Sequence, residues 1–294
     1  MFRRSFLFMK TKGYIFAVVA AVCYGLNPLF ALPLYDQGLQ PLSVLFYRFA
    51  IATVVLFAMI AFGNESFKVS LKELVLSMFM GLMFAGSSIT LFKSFTVMDA
   101  GIASTLLFTY PLIVVLLSRI FFKEKVGRIT IVSVIVAFVG VLFLYRGENG
   151  VAISSLGLFL IFTSALSYAI YLIGVNRSVL SKMSSVKLTF YASLTELILL
   201  FLLLRCGLDL QILPSLDSLL NVSGLGVFTT VVSLVLVTKS IHIIGSTPAS
   251  IIGALEPITA LMVSVFVFGS ILTVMNIFGV VLILFSVILV ILYN

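Results

Sequence analysis

One stretch of this chain occurs twice, 146 residues apart. Lys93 and Ser94 return as Lys239 and Ser240, Ala103 and Ser104 as Ala249 and Ser250, and Pro111 as Pro257. Ser87, Ser118 and Phe122 meet Ser233, Ser264 and Phe268 at the same offset, without a gap. Nearer the start of each copy the offset is 144. Gly13, Ala21, Tyr24, Phe46 and Tyr47 answer to Gly157, Ala165, Tyr168, Phe190 and Tyr191. A short difference in loop length is expected to account for the change of offset. A chain that repeats itself at this period has to pack two related units against each other, and this limits the architectures open to it.

The solvent of those units follows from composition. Of 294 residues, 62% are hydrophobic and 10% charged, and the mean hydropathy is +1.30. A water-soluble domain has nowhere to hide so much apolar surface, so lipid is the expected surroundings. Apolar runs predict spans near 14–32, 43–62, 71–92, 100–121, 128–145, 157–176, 186–204, 217–239, 247–268 and 271–293. The run that follows the basic N-terminus continues to Leu32 with no small-residue cleavage pattern, so it reads as a retained first span. Cys23 and Cys206 are expected to be small buried residues, since two cysteines give neither a disulfide framework nor a metal spacing.

Basic residues orient the spans. Arg3, Arg4, Lys10, Lys12, Lys68, Lys72, Arg119, Lys123, Lys125, Arg128, Arg177, Lys182, Lys187 and Lys239 fall on the side of the N-terminus. The opposite side has Lys93, Arg146 and Arg205, and Arg48 is left inside a span. Such asymmetry predicts ten spans with both termini cytoplasmic. The net charge of +8 is explained by these loops and does not point to nucleic acid. Residues 1–147 and 148–294 then hold five spans each. Five is odd, so the second unit enters the membrane upside down. The expected fold is an all-α integral membrane protein of ten transmembrane helices in two inverted five-helix repeats, an arrangement used for alternating access around a central site.

Few polar groups lie inside the spans. Glu256 precedes Pro257, which lacks an N–H and frees carbonyls near Gly253. A carboxyl there must face a partner or a wet cavity. Solute contact or proton coupling is one reading, and a lock to a neighbouring helix is the other. Its repeat mate is the uncharged Tyr110, beside Pro111. Arg48 suits a carboxylate or phosphate, but it could equally snorkel to headgroups or meet an acidic side chain. Glu196, in the matching span, has no partner identifiable in the sequence. Tyr24 and Asn27 correspond to Tyr168 and Tyr171, and each pair shares a helix face at i and i+3. They are candidates for lining a cavity, although tyrosine also populates membrane interfaces. Lys93 and Lys239 read as snorkelling lysines. Small residues such as Ser87, Gly140 and Gly279 read as close packing.

No Walker A loop, paired histidines, cysteine cluster or G-x-S-x-G is present, so no built-in ATP motor, metal site or hydrolase signature is expected. A multi-pass enzyme acting on lipids would need clustered polar groups near one interface, and the charges here are scattered.

The order Ala-Val-Cys-Tyr-Gly-Leu-Asn-Pro (21–28), Phe-Tyr-Arg-Phe (46–49), Ala-Ser-Thr-Leu-Leu-Phe-Thr-Tyr-Pro-Leu (103–112) and Phe-Phe-Lys-Glu-Lys (121–125), with Ala-Ser-Ile-Ile-Gly-Ala-Leu-Glu-Pro-Ile (249–258) in the second copy, resembles the EamA-type transporters of the drug/metabolite transporter superfamily. The resemblance covers nearly the whole chain. It implies export of small metabolites, amino acid-like solutes or drugs across a bacterial cytoplasmic membrane, with no cofactor and no catalysis. An uncoupled facilitator or importer is the alternative. The expected partners are a small-molecule solute, membrane lipids and protons as coupling ion, in a monomer or weak homo-dimer. The acid that often closes the fourth helix of each repeat is Glu124 here, and its mate is Ser270, so the second half departs from the pattern.

Reporter fusions after Asn64 and Asn149 test the orientation. The first should read cytoplasmic and the second external. An external signal at Asn64 would overturn the ten-span order.

Overall fold

The computed structural model describes residues 2–63, 65–94, 97, 103, 106–144, 154–269 and 271–293. Asn64, Ser104, Arg146, Asn149 and Ser270, used above, lie outside the described residues. Among the described residues every regular element is helical. Eight stretches are long and apolar enough to cross a membrane: Met9–Asp36, Pro41–Ala61, Leu71–Ser94, Ser155–Arg177, Ser185–Leu203, Leu216–Ile244, Ser246–Phe266 and Val274–Tyr293. Two shorter apolar helices, Tyr110–Phe122 and Arg128–Leu144, fall where the fourth and fifth spans were expected. This is a multi-pass membrane protein.

The helices start and break where local chemistry requires. The first stretch is α1 (Phe2–Gly25) followed by α2 (Asn27–Asp36), interrupted at Leu26. Pro28 stands in the first turn of α2, where its missing N–H costs nothing. Next come α3 (Pro41–Ala61), α4 (Leu71–Ser94), α5 (Tyr110–Phe122) and α6 (Arg128–Leu144). In the second half, α7 (Ser155–Arg177) is capped by Ser154, whose hydroxyl accepts from the Gly157 amide at 3.3 Å. It is followed by α8 (Ser185–Leu203). The next span begins as α9 (Leu216–Gly224), loosens into a π-helical segment over Leu225–Val232, and resumes as α10 (Ser233–Ile244). Then α11 (Ser246–Ile252) and α12 (Leu255–Phe266) meet at a break around Gly253, and α13 (Val274–Tyr293) closes the chain. Cys206 departs from the expectation of burial. It lies in an exposed turn after α8, with a left-handed φ of 57°.

Large apolar side chains such as Phe62, Phe121 and Val274 point outward, and small polar ones such as Ser43, Ser164 and Thr189 are buried. That is the distribution expected when the outer solvent is as apolar as the core and close packing holds the helices together. The main contacts join α6 to α13, α3 to α8, α4 to α7 and α1 to α10. The same crossings recur at repeat-related positions. On the α4–α7 pair, Ser164 Oγ donates to the Ser87 carbonyl at 2.8 Å. On the α1–α10 pair, Ser233 Oγ donates to the Ala20 carbonyl at 3.0 Å. Ser87 and Ser233 are mates, as are Ala20 and Ser164.

The change of offset has an unexpected cause. A methyl at Gly81 would come within 2.7 Å of the Ala192 carbonyl oxygen, and one at Gly226 within 3.1 Å of that of Arg48. Arg48 and Ala192 are mates, so Gly81 and Gly226 occupy equivalent crossings, at an offset of 145. By Ser87 and Ser233 the offset is 146. Of the two extra residues, therefore, only one lies in a loop. The other sits inside a helix, where the wider π turn absorbs it.

The most extensive pair is α6 against α13. A methyl at Gly279 would fall 2.6 Å from the Gly140 carbonyl oxygen, and one at Gly140 would fall 2.9 Å from that of Gly279. Gly279→Val should cost about 1–3 kcal/mol by overpacking, read as a lower melting midpoint of the protein in detergent. An unchanged midpoint would mean that these helices are not in close contact.

Candidate functional site

The helix breaks at Leu26 and Gly253 lie beside one cavity of about 430 Å³, and Arg48 joins its wall to the π segment. Tyr24, Asn27 and Tyr35 line it from α1 and α2, Arg48 from α3, Phe92 from α4, Tyr110 from α5, and Glu256 and Pro257 from α12. It extends to Leu39 and Pro41, at the α2–α3 turn. Five of the seven candidate residues, Tyr24, Asn27, Arg48, Tyr110 and Glu256, are thus brought to one space.

The other two lie behind it. Tyr168 shares with Tyr110 and Glu256 a small adjoining void of about 10 Å³, close to the minimum for a single water. Its ring meets Tyr110 edge-on at 4.8 Å and stacks on Tyr171 at 6.2 Å. Tyr171 is buried and sealed from the cavity. The rings therefore stopper the end of the cavity away from the α2–α3 turn. Tyr35, Phe92 and Phe108 are wall residues that the sequence reading did not select.

Each interruption leaves carbonyls to be satisfied, and cavity residues satisfy them. At Leu26, Asn27 Nδ2 donates to the Tyr24 carbonyl at 2.8 Å. Tyr24 and Asn27 therefore share the cavity across a break and not along a continuous helix face. At Gly253 the chain shifts to i→i+3 bonds, Ala254 N–H to the Ile251 carbonyl at 3.0 Å and Glu256 N–H to the Gly253 carbonyl at 2.9 Å. This is the disturbance that Pro257 predicts. Tyr110 O–H donates to the Ser250 carbonyl across the same break at 3.3 Å.

Arg48 does not snorkel, and among the described residues it pairs with no carboxylate. It is 3% exposed. Its Nε donates to Thr230 Oγ1 at 2.7 Å and its Nη2 to the Thr229 carbonyl at 3.3 Å, both in the π segment. Its guanidinium carbon lies 5.5 Å from the Tyr24 ring centre and 5.3 Å from that of Phe49. Glu256 is likewise free of any ion pair among the described residues. Among the described residues, the cavity thus holds one cation and one carboxyl, neither neutralised by the other.

Contacts between the halves frame this space. At the α2–α3 turn, Gln211 accepts from the Gln40 amide, and its own amide N–H donates to Ser43 Oγ. At the opposite end Arg177 pairs with Glu124 at 2.5 Å, and Ser184 donates to Glu65 at 2.8 Å. Lys93 and Lys239 are both exposed, as expected near span ends.

The profile of the EamA-like transporter family matches this chain twice, over residues 11–146 and 155–292. The uncharacterized transporter YdfC of Bacillus subtilis (strain 168) is 25% identical over 83% of this chain and 79% of its own length. An uncharacterized transporter of Clostridium kluyveri is 22% identical over 93% of this chain and 91% of its own. A solved crystal structure superposes with a TM-score of 0.79 at 15% identity, covering 95% of this chain and 96% of the other, so the likeness is one of fold.

Thr230→Val keeps the shape of the side chain but removes the oxygen that accepts from Arg48. Leaving a buried cation short of one acceptor should cost about 1–3 kcal/mol. Thr230→Ser should restore most of it. Melting midpoints in detergent would show this, and equal values for the valine and serine variants would remove the hydrogen bond from the account.

Proposed function

The chain belongs to the EamA-like transporter family, and from that premise we propose that it is a secondary carrier for a small zwitterionic, amino acid-like solute. It works by alternating access in a bacterial cytoplasmic membrane, and its direction is export. The observation that carries this reading is the pair of unneutralised charges, Arg48 and Glu256, in one aromatic-walled cavity. A planar guanidinium takes a carboxylate through two parallel hydrogen bonds. A carboxylate opposite it takes an ammonium group. Tyr24, Tyr35, Phe92, Phe108 and Tyr110 then cover the apolar body of the solute. A volume of about 430 Å³ is in the range of small-molecule sites.

Alternating access takes the chain as ten spans in two inverted repeats, 1–147 and 148–294, with both termini cytoplasmic. The paired crossings at Ser87–Ser164 and Ala20–Ser233 support that reading, since each repeats the other under exchange of mates. In this orientation the cavity opens outward at the α2–α3 turn. The Glu124–Arg177 and Glu65–Ser184 contacts hold the cytoplasmic side shut. Rocking of the halves opens one end as the other closes. The solute gradient supplies the driving force, protons are the coupling ion, and the working unit is a monomer or weak homo-dimer.

Vesicles containing the purified chain and loaded with labelled amino acids test this without nucleotide. Protein-dependent efflux down the gradient is the expected result, and flux that appears only with ATP and an added ATPase would defeat it. Glu256→Gln should insert normally and raise the half-saturating concentration about tenfold or more, the loss expected for a charge-assisted hydrogen bond. Unchanged saturation would remove Glu256 from the solute site.

A further inference from the structure

One charged side chain inside the bundle has no place in the cavity. Glu196, on α8, is 0% exposed, and neither of its carboxyl oxygens has a hydrogen-bond partner. It stands level with Arg48. The antiparallel helices α3 and α8 pack together, with Arg48 seven residues after Pro41 and Glu196 seven before Leu203 at the same end. By the 144 offset the mate of Arg48 is Ala192, and that of Glu196 is Ala52. The symmetric crossing of α3 and α8 therefore carries a cation on one helix and an acid on the other, with alanine at both related positions.

The two nevertheless form no ion pair, because Arg48 is engaged by Thr230 and Thr229 of the π segment. The Ser88 hydroxyl lies beside the Glu196 carboxyl. Coming from α4, it donates to the Phe84 carbonyl at 3.1 Å. Tyr24 of α1 and Tyr171 of α7 are the phenols within reach of its charge. The other charges on packed helices point elsewhere. Lys72, Glu73 and Lys93 are at the ends of α4, Lys239 of α10 lies over Phe16, His242 is in the last turn of α10, and Arg205 beyond α8 pairs with Asp209. An ionised carboxylate so poorly supplied with donors is costly in this interior, whereas the neutral acid avoids most of that cost.

We propose that Glu196 is a proton-binding site, loaded in this conformation, that decides whether Arg48 is available to the solute. The proposal rests on the carrier reading above. With the proton in place, Arg48 stays on the π segment and faces the cavity. When the carboxyl O–H bond breaks, its proton passes to water entering from the open side. The carboxylate then draws Arg48 away from Thr229 and Thr230 into an ion pair, and the solute carboxylate loses its partner. Solute and proton are therefore held together and move in the same direction. Export follows the solute's own gradient and carries protons out with it.

Infrared difference spectroscopy of the full chain in lipid vesicles, with no solute present, is the first test. At neutral pH the wild type should show the C=O stretch of a protonated carboxylic acid. Glu196→Gln should abolish that band, Glu256→Gln should leave it, and Glu196→Asp should shift it. The aspartate variant decides the matter if the glutamine variant fails to insert. Absence of the band in the wild type, or a band indifferent to both Glu196 variants, would overturn the proposal. The second test is amino acid efflux against pH. Wild-type flux should fall several-fold from mildly acidic to mildly alkaline conditions, and Glu196→Gln should flatten the profile; an equal slope in both counts against the site. Wild-type vesicles without flux at any pH refute the carrier reading instead, and the infrared band, which needs no solute, still decides the protonation of Glu196.

Discussion

Hydrocarbon offers no hydrogen bonds, so a chain that crosses it must satisfy its own backbone at every residue. A regular helix does this unaided, and an interrupted one needs a donor from outside the helix. The protein interrupts its helices at Leu26 and Gly253, beside one cavity, and across Leu225–Val232, which holds Arg48 of that cavity's wall. The donors that meet the disturbed carbonyls come from Asn27, Arg48 and Tyr110. Side chains that give the cavity its polarity therefore also keep the broken helices intact. Removing one affects both roles, which is why a loss of transport in such a variant needs a stability measurement beside it.

Much of this was legible in the sequence because apolar runs, prolines and the duplication are local patterns. Pro257 announced the break at Gly253, and the apolar runs located the helices. Glu256, Arg48, Tyr110, Tyr24 and Asn27 were recognisable because polar groups are scarce in apolar spans. The partner of Arg48 was not legible. Threonine is an unremarkable residue in a membrane helix, and nothing local marks Thr229 or Thr230 as an acceptor 181 and 182 residues away. Tyr35 and Phe92 were missed for a similar reason, since one aromatic among many carries no address. Tyr171 was selected by symmetry with Asn27, but the break at Leu26 has no equivalent in the continuous helix α7, so the two side chains end in different places.

The π segment shows how a small change in length separates two copies of one unit. Its extra residue lies between Gly226 and Ser233, after one conserved crossing and before the next. Both crossings bring the same pairs of mates together, and the turn between them is displaced. Arg48 is held by that displaced turn. In the first half, α4 runs without interruption past Ala192, which needs no acceptor. The single cation and the single irregular turn occur together, and the charge asymmetry of the cavity follows from a difference in backbone.

The two ends of the molecule are fastened by different chemistry. Around the α2–α3 turn the halves meet through uncharged amides and hydroxyls, Gln40 with Gln211 and Gln37 with Ser218. At the other end they meet through the ion pair of Glu124 and Arg177, which is partly exposed. Mobile ions weaken exposed charge pairs and leave neutral hydrogen bonds largely alone. Ionic strength therefore acts on one end of the molecule and not on the other, and under the proposed alternating access the salt of a single compartment would set how long each closure lasts.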